Sequence, residues 1–258
     1  MKWDARLYDE QNRTREEAGR KLMQRAEVGS EEKVLDIGCG TGTLTAEMAR
    51  LAHKGRVVGL DPSEDMLAMA RAKTSMMDNI TLTMERVEEM AFSEEFSLAF
   101  SNLALQWVKN QEGALRNIYN SLAPGGRIAL HLPSRGFSKA LSHSIDAAID
   151  TLGLAEFRNG WKSPWYLPEK DEYETILLDA GFRGVKVSSE NFSMSFSSSS
   201  AALDWALSAA LVPYMTRLDW RTGEYFKYAV AMNFELFREE GGIVFDFRRL
   251  MALGHRPH

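Results

Sequence analysis

The sequence predicts an α/β fold in which amphipathic helices alternate with the strands of a mainly parallel β-sheet. Between Ser30 and His131, short runs of β-branched residues alternate with stretches whose apolar residues recur at helical spacing. A glycine-rich segment follows the first β-branched run, and the acidic residue Asp61 ends the second. This order is typical of repeated βα units around a parallel sheet.

The elements of this region follow from the periods of the apolar pattern. In the last helix, Ala114, Leu115, Ile118 and Tyr119 form one face, and the turn that begins at Leu122 (Leu-Ala-Pro-Gly-Gly) stops the helix and leads into the next strand. The predicted strands are Lys33 to Ile37, Arg56 to Leu60, Ile80 to Met84, Phe96 to Ser101 and Gly126 to Leu132, and the predicted helices are Thr43 to Ala52, Ser63 to Thr74 and Gln111 to Leu122.

The pattern becomes less regular after Pro133. A helix is predicted at Glu169 to Ala180, strands at Val185 to Phe196 and Val244 to His255, and a mostly helical stretch between the two strands. Two regions therefore depart from the sheet, and we interpret them as helical cap insertions that cover a ligand site. They comprise 134–168 and 197–241, within a single domain of 1–258 that begins with an N-terminal lid at 1–29.

Composition narrows the class of protein. The chain has 258 residues, 45% of them apolar, which is enough to bury a core. Its 31 Lys and Arg against 36 Asp and Glu give a net charge of -5, so neither nucleic acid nor an anionic membrane is the expected partner. One cysteine and five scattered histidines show no metal-ligand spacing. We expect a soluble cytoplasmic protein without a bound metal.

The most informative segment is a glycine loop between a predicted strand and a predicted helix. It places Gly38, Gly40 and Gly42 where the backbone can turn sharply and approach a ligand closely. Asp61 lies 21 residues after Gly40, where a carboxylate can accept hydrogen bonds from both hydroxyls of a ribose. The spacing G-x-G-x-G differs from the nicotinamide fingerprint G-x-G-x-x-G, because Thr43 follows Gly42. The alternative is that the glycines only make a turn and that Asp61 caps the next helix.

Four motifs in order resemble the class I S-adenosylmethionine-dependent methyltransferases. They begin at Asp36 (Asp-Ile-Gly-Cys-Gly-Thr-Gly), Gly59 (Gly-Leu-Asp-Pro-Ser-Glu-Asp-Met-Leu), Ser101 (Ser-Asn-Leu-Ala-Leu-Gln-Trp-Val) and Leu122 (Leu-Ala-Pro-Gly-Gly). The resemblance implies a Rossmann-like, seven-stranded, mostly parallel sheet with a reversed last strand, and S-adenosyl-L-methionine as the cofactor.

The same resemblance assigns cofactor roles by position. Asp36 is expected to orient the loop and the methionine portion, Asp61 to bind the ribose, and Met66 either to contact adenine or to belong to the core. The residues predicted to bind the cofactor are Tyr8, Arg13, Asp36, Gly38, Cys39, Gly40, Gly42, Asp61, Pro62, Met66, Arg86, Val87, Glu88, Asn102 and Leu103.

Two positions depart from the family pattern. Arg86 stands where many relatives have an Asp that accepts the adenine amino proton, and Arg cannot accept a hydrogen bond. Adenine recognition then falls to Glu88, to backbone groups near Arg86 and Val87, or to stacking. Ser97 replaces another common acid at the start of the fourth strand.

The acceptor is expected at the carboxyl ends of the strands, where Gln106, Trp107 and His131 are the candidate catalytic residues. The segment that contains Gln106 and Trp107 resembles the trans-aconitate and malonyl-acyl-carrier methyltransferases. Val212 stands where trans-aconitate-type sequences tend to have Arg, which weakens the case for a tricarboxylate. The alternatives are a Trp107 of the core or an interface, a surface Gln106 and a His131 that is satisfied at a strand end.

We therefore expect methyl transfer to a small molecule, at the carboxylate oxygen of an acid that is free or linked to an acyl carrier. A carboxylate is already ionised near pH 7, so its methylation needs orientation and a dry pocket more than a base. The enzyme alternative is C- or N-methylation of a lipid, quinone precursor or other metabolite, because the same cofactor half serves all of these. A non-catalytic cofactor-binding scaffold is the alternative of another class. The sequence leaves the oligomeric state open.

Overall fold

The computed structural model describes residues 3–258 and contains one mixed sheet flanked by helices. The strand order is β3-β2-β1-β4-β5-β8-β6, and the short β7 pairs with β8. The strands are β1 (Lys33–Ile37), β2 (Arg56–Leu60), β3 (Ile80–Thr83), β4 (Phe96–Asn102), β5 (Leu122–Pro133), β6 (Arg183–Phe196), β7 (Arg238–Glu239) and β8 (Gly242–His255).

Ten α-helices connect or flank these strands in the described part of the chain. They are α1 (Ala5–Glu10), α2 (Arg13–Ala26), α3 (Thr43–Leu51), α4 (Glu64–Thr74), α5 (Gln111–Ser121), α6 (Lys139–Thr151), α7 (Lys170–Asp179), α8 (Ser199–Leu207), α9 (Val212–Met215) and α10 (Trp220–Phe234). Short 3₁₀ turns lie at Leu105–Trp107, Ala155–Phe157 and Glu235–Phe237.

The strand register confirms the predicted topology. The first five strands pair in parallel, with Val34 opposite Val57 and Leu98, whereas β8 runs antiparallel to β5, with Ala129 opposite Leu253. Parallel strands joined by helices place their carboxyl ends at one edge of the sheet, so the loops after β1, β2, β4 and β5 are brought together there.

Most predicted boundaries of the βα region agree with the structure, and one strand start was wrong. The strands β1 and β2 have the predicted bounds, and Ser63 caps α4 by accepting a hydrogen bond from the backbone N–H of Met66. However, β5 begins at Leu122 instead of Gly126, because Leu122 already pairs with Phe96 before an irregularity in the ladder. The two-residue β7 was not predicted.

The chain divides into two compact units. The sheet unit comprises Asn12–Ser134, Trp165–Glu190 and Arg249–His258. The helical unit comprises the described residues up to Gln11 together with Arg135–Pro164 and Asn191–Arg248. The predicted N-terminal lid is thus divided between the units after Gln11, and its first two residues lie outside the described part of the chain.

The sheet unit has apolar cores on both faces of its sheet. One core packs α2 and α3 against the sheet around Leu22, Met48 and Phe100. The other packs α5 and α7 around Leu115 and Tyr173. Each of these five side chains is at most 1% exposed, so the strands between the cores are held on both sides, as a parallel sheet requires.

The helical unit contains two clusters of packed aromatic rings. One cluster joins the rings of Phe157, Trp161, Tyr214 and Phe226 at centroid distances of 4.9 to 5.7 Å. A second cluster joins Phe196, Trp205, Phe234, Phe245 and Phe247. In residues 3–258 no helix is long and apolar enough to cross a membrane, and no group of three or more His, Cys, Asp or Glu could hold a metal ion.

Candidate functional site

The glycine loop after β1 adopts a backbone that only glycine tolerates well. Gly38, Gly40 and Gly42 have φ values of +72°, +56° and +82°. A Cβ atom on Gly38 would lie 2.2 Å from the Cβ of Ala104, and one on Gly42 would lie 2.8 Å from the Cβ of Ala70. Gly38 and Gly42 are therefore required both by the turn and by the close approach of neighbouring residues, and Gly40 is favoured by its positive φ.

Asp61, directly after β2, accepts backbone hydrogen bonds on both carboxylate oxygens. The N–H of Gly40 donates to Oδ2 at 3.0 Å, and the N–H of Ser63 donates to Oδ1 at 2.8 Å. Burial raises the pKa of Asp61, and these two hydrogen bonds act in the opposite direction by favouring the carboxylate. Each oxygen keeps further lone-pair capacity, so a fixed Asp61 can still accept hydrogen bonds from a diol.

Asp36 occupies a more enclosed position in β1. It is 3% exposed, and its Oδ2 accepts a hydrogen bond of 2.6 Å from the hydroxyl of Thr45. Burial raises the pKa of Asp36 to about 7, the Thr45 hydrogen bond opposes this shift, and the nearby charge of Asp61 adds to it. A cationic ligand group near Asp36 would therefore favour its ionised form.

The chain after β4 contains a strained residue. Leu103 has φ +56°, which is rare for a residue with a Cβ and which clusters at functional sites. Its N–H donates to the carbonyl of His131 at 2.7 Å, and its carbonyl accepts from Nε2 of Gln106 at 2.7 Å. Gln106 and the end of β5 are therefore both hydrogen-bonded to the backbone of Leu103 in this conformation.

Asn102 and His131 form a hydrogen-bonded pair on adjacent strands. Nδ2 of Asn102 donates to the carbonyl of Arg15 on α2 at 3.0 Å, so Oδ1 of Asn102 faces Nδ1 of His131, 2.8 Å away. Because an amide oxygen only accepts, Nδ1 carries the proton and Nε2 of His131 has the lone pair. In the described chain, Nε2 is buried without a hydrogen-bond partner.

The imidazole of His131 is neutral for physical reasons that act together. It is 1% exposed, and burial lowers its pKa well below the ordinary value, with further lowering by the charges of Arg249 and Arg25. A neutral imidazole with a free Nε2 can accept a proton or a hydrogen bond. The predicted alternative of a fully satisfied strand-end histidine does not hold for Nε2.

One side chain from α5 holds the backbone of the segment after β3. Nδ2 of Asn117 donates to the carbonyls of Val87 and Glu88, each at 3.0 Å. Val87 is buried, Glu88 is half-buried and the side chain of Arg86 is exposed. The arrangement is compatible with adenine recognition by Glu88 or by backbone groups, the two possibilities that the sequence analysis left open.

The other predicted site residues lie in several settings. Trp107 is half-buried and packs edge-on against Trp165 at a centroid distance of 6.2 Å. Arg13 lies on an exposed face of α2, where its Nε is 3.0 Å from a carboxylate oxygen of Glu17. Tyr8 belongs to the helical unit, Cys39 and Met66 are buried, and Pro62 is exposed.

Sequence reasoning missed three residues that support the site. The hydroxyl of Thr45 donates to Asp36, the hydroxyl of Ser101 donates to the carbonyl of Ile37 at 3.0 Å, and Asn117 anchors the segment after β3. Of the three, Thr45 could most readily have been predicted from the sequence, because it lies in the first turn of the helix that follows the glycine loop.

Comparison with known proteins gives consistent matches. Residues 34–126 match a family model described as a methyltransferase domain. The chain is 27% identical to a trans-aconitate 2-methyltransferase of Deinococcus radiodurans over 100% of this chain and 99% of that protein. It is 28% identical to a trans-aconitate 2-methyltransferase of Mycobacterium tuberculosis, covering 97% and 95%.

Solved structures share the fold at lower identity. The YcgJ protein of Bacillus subtilis superposes with a TM-score of 0.62 at 14% identity, covering 92% of this chain and 97% of that chain. A Haemonchus contortus phosphoethanolamine N-methyltransferase in complex with S-adenosyl-L-methionine superposes with a TM-score of 0.56 at 18% identity, covering 89% of this chain and 50% of that chain.

Proposed function

We propose that this chain, a class I S-adenosylmethionine-dependent methyltransferase, transfers the methyl group of S-adenosylmethionine to a carboxylate oxygen of a small organic acid. The observation that carries the acceptor is the extent of similarity to the trans-aconitate 2-methyltransferases. It covers nearly all of both chains and so includes the residues of the helical unit as well as the cofactor half. Similarity confined to the cofactor half would give no information about the acceptor.

The residues present fit the cofactor. The loop after β1 turns sharply at Gly38, Gly40 and Gly42, which all have positive φ, and glycine lets a ligand approach the backbone closely. Asp61 would hold the ribose hydroxyls, and Asp36 would face the methionine portion, where the α-amino group is cationic. When bound, S-adenosylmethionine supplies an electrophilic methyl group on a sulfonium sulfur.

A carboxylate acceptor agrees with a site that has few candidate acid–base residues. The acceptor oxygen is ionised near pH 7, so it can attack without prior removal of a proton. What the protein must supply is an approach in line with the sulfur–methyl bond and the exclusion of water. The fixed backbone at Leu103 supports orientation of this kind, because a strained, doubly hydrogen-bonded residue moves little.

The preferred acid is one with a single anionic end and an apolar body, free or carried as an acyl group. Val212 is buried at the start of α9 and offers no charge for a second or third carboxylate. The nearby ring cluster of Phe157, Trp161, Tyr214 and Phe226 suits apolar surface. We therefore expect such a monoacid to be methylated more readily than trans-aconitate.

His131 favours a second candidate, methylation of an acceptor that must lose a proton. Its neutral imidazole presents an unpartnered Nε2, which could accept the proton of a hydroxyl, an amine or an acidic carbon. This candidate retains the cofactor site and changes only the acceptor. It predicts a rate that depends on His131, whereas carboxylate methylation predicts a rate that survives His131→Gln.

The test is a screen with S-adenosylmethionine that carries a deuterated methyl group. Purified protein is incubated with a panel of acids, phenols and amines, and the products are analysed by mass spectrometry before and after mild base. A labelled, base-labile ester supports the proposal, and its loss in Asp61→Ala ties it to this site. A base-stable methyl product on nitrogen or carbon, with no ester from any acid, overturns the carboxylate acceptor and leaves the methyltransferase assignment intact.

A further inference from the structure

The outward face of α10 is unusually apolar for an exposed helix. Nine large hydrophobic side chains are exposed among residues 3–258, and five of them lie between Trp220 and Leu236. Trp220 is 76% exposed, Tyr228 67% and Leu236 68%, with Tyr225 and Met232 also above 50%. Scattered exposed apolar residues are ordinary, but a cluster on one helix marks an interaction surface.

Five exposed residues of α10 and of the 3₁₀ turn that follows it have a regular 4-3-4-3 spacing. Arg221, Tyr225, Tyr228, Met232 and Glu235 recur at i, i+4, i+7, i+11 and i+14, and we call these five residues the seam. Residues at this spacing form one stripe along a helix, and the same spacing brings two helices together in a coiled coil. The seam has an apolar centre of three residues, a cation at its first position and an anion at its last.

We infer that the seam binds the seam of a second copy of this chain, with the two helices antiparallel and the two-fold axis at Tyr228. In this arrangement, positions at equal distances before and after residue 228 lie opposite each other. Arg221 then meets Glu235 of the other copy, because both are seven residues from the centre, and the pair forms twice. Tyr225 lies next to Met232, and the two Tyr228 side chains meet at the axis.

Charge decides between this arrangement and its alternatives. A parallel pair would place Arg221 against Arg221 and Glu235 against Glu235, and like charges at an interface disfavour association. The antiparallel pair makes two attractive contacts and is closed by its own symmetry, so association stops at a dimer. Glu235 already accepts from Arg238 of its own chain at 2.7 and 3.0 Å, and a carboxylate has lone pairs for a second guanidinium.

The exposed area is of the right order for the core of an interface. Large side chains bury about 150–250 Å² each, so the five exposed apolar residues of α10 and the 3₁₀ turn after it offer on the order of 500 Å² per copy. A stable interface buries roughly 800 Å² per partner, in which an apolar centre is surrounded by a polar rim. Arg221, Glu224 and Glu235 flank the apolar centre and can supply part of that rim.

The test is the solution mass of the purified full chain and of charge-reversed variants, measured by sedimentation velocity. We expect a dimer at micromolar concentration. Arg221→Glu and Glu235→Arg should each raise the dimer dissociation constant by about 100-fold, since each creates two like-charge contacts per dimer. An equimolar mixture of the two single variants should dimerise again, because both pairs are then complementary. Arg71→Glu, which breaks the exposed Arg71–Glu64 pair on α4, is the matched control and should remain dimeric.

Recovery of the dimer in the mixture also shows that both variants are folded, because an unfolded variant could not form it. A wild-type chain that stays monomeric at 100-fold higher concentration overturns the proposal, and so does a dimer that persists unchanged in Tyr228→Glu. A monomer that instead sediments with lipid vesicles would assign the face to a lipid surface, which also overturns it. Methyltransferase activity plays no part in these measurements, so their outcome is independent of the acceptor proposed above.

Discussion

The sheet unit and the helical unit hold their loops and side chains by different means. In the sheet unit, the carboxylate of Asp61 is fixed by two backbone N–H groups, and Leu103 is fixed by one carbonyl and one side-chain amide. In the helical unit, aromatic rings such as those of Phe157 and Trp161 pack on one another. Backbone contacts survive many substitutions, whereas ring packing changes with each side chain. Under the function proposed above, the first would suit a constant cofactor and the second a variable acceptor.

The largest effect in this comparison is expected for Gly38→Ala. Its Cβ would overlap Ala104 at 2.2 Å while the backbone holds φ +72°. Strain in the left-handed region and overpacking together predict a loss of about 2–4 kcal/mol in the free energy of unfolding, with weaker cofactor binding. Chemical denaturation and calorimetry with S-adenosylhomocysteine measure both.

Gly136→Ala is the matched control, because Gly136 also has φ +72° and a Cβ there would meet nothing within 4 Å. It should cost only the backbone strain, about 1–2 kcal/mol, and leave cofactor affinity unchanged. Equal losses in the two variants would show that the contact with Ala104 does not matter.

The two units also differ in how well the bounds of their strands and helices were predicted from the sequence. β1 and β2 were predicted with their observed bounds, because buried parallel strands are short apolar runs that end at a glycine or an acid. The start of β5 was wrong, since its first pairing, between Leu122 and Phe96, is a tertiary contact that crosses a Pro-Gly-Gly turn. The helices within 134–168 and 197–241 were predicted without bounds. The helical unit, which contains most of these residues, packs through rings that are distant in sequence, such as those of Phe157 and Tyr214.

Within the site, residues that act locally were predictable and residues that act across strands were not. Asp61 and the glycines follow from spacing along the chain. The tautomer of His131 depends on Asn102, 29 positions away, and the positive φ of Leu103 depends on His131 as well as on the nearby Gln106. Because each feature needs a contact between strands, no local pattern alone reports it. The sequence singled out His131 and Asn102 separately and gave no indication that they are hydrogen-bonded to each other.

Asp61→Ala tests whether the sheet unit binds the ribose through this carboxylate. Loss of hydrogen bonds to a charged group should weaken binding of S-adenosylhomocysteine by about 1.5–3 kcal/mol, roughly 10- to 150-fold, in titration calorimetry. Asp65→Ala removes an exposed carboxylate from the same helix region and should bind as wild type does. Unchanged affinity in Asp61→Ala would remove Asp61 from the cofactor site.

His131 predicts a pH dependence of stability that belongs to the sheet unit. Its pKa is lowered in the folded protein, so below about pH 6.5 the unfolded chain binds a proton that the folded chain does not. The free energy of unfolding should therefore fall as the pH drops below about 6.5, by at most about 1.4 kcal/mol per pH unit.

The measurement compares wild type with His131→Gln between pH 5 and pH 8 by denaturant titration. The raised pKa of Asp36, about 7, acts in the opposite direction, but it is present in both proteins and cancels in their difference. The advantage of wild type over the variant should shrink towards pH 5. A difference that stays constant across this range would show that His131 is accessible to protons in the folded protein.

The smallest effect is expected for matched Phe→Leu changes, one in each unit. Phe157 in the helical unit packs against Trp161 and Tyr214 at 5.2 and 5.4 Å, and Phe92 in the sheet unit packs against Phe96 at 5.1 Å. Both changes lose similar apolar volume and should each cost about 1 kcal/mol of stability, with no change in cofactor affinity. Only Phe157→Leu should alter the ratio of kcat/KM values for two acids of different apolar size. The expected change is about 5-fold, which corresponds to about 1 kcal/mol, the lower end of what one methylene is worth in an apolar pocket. If Phe92→Leu shifts that ratio equally, acceptor choice is not confined to the helical unit.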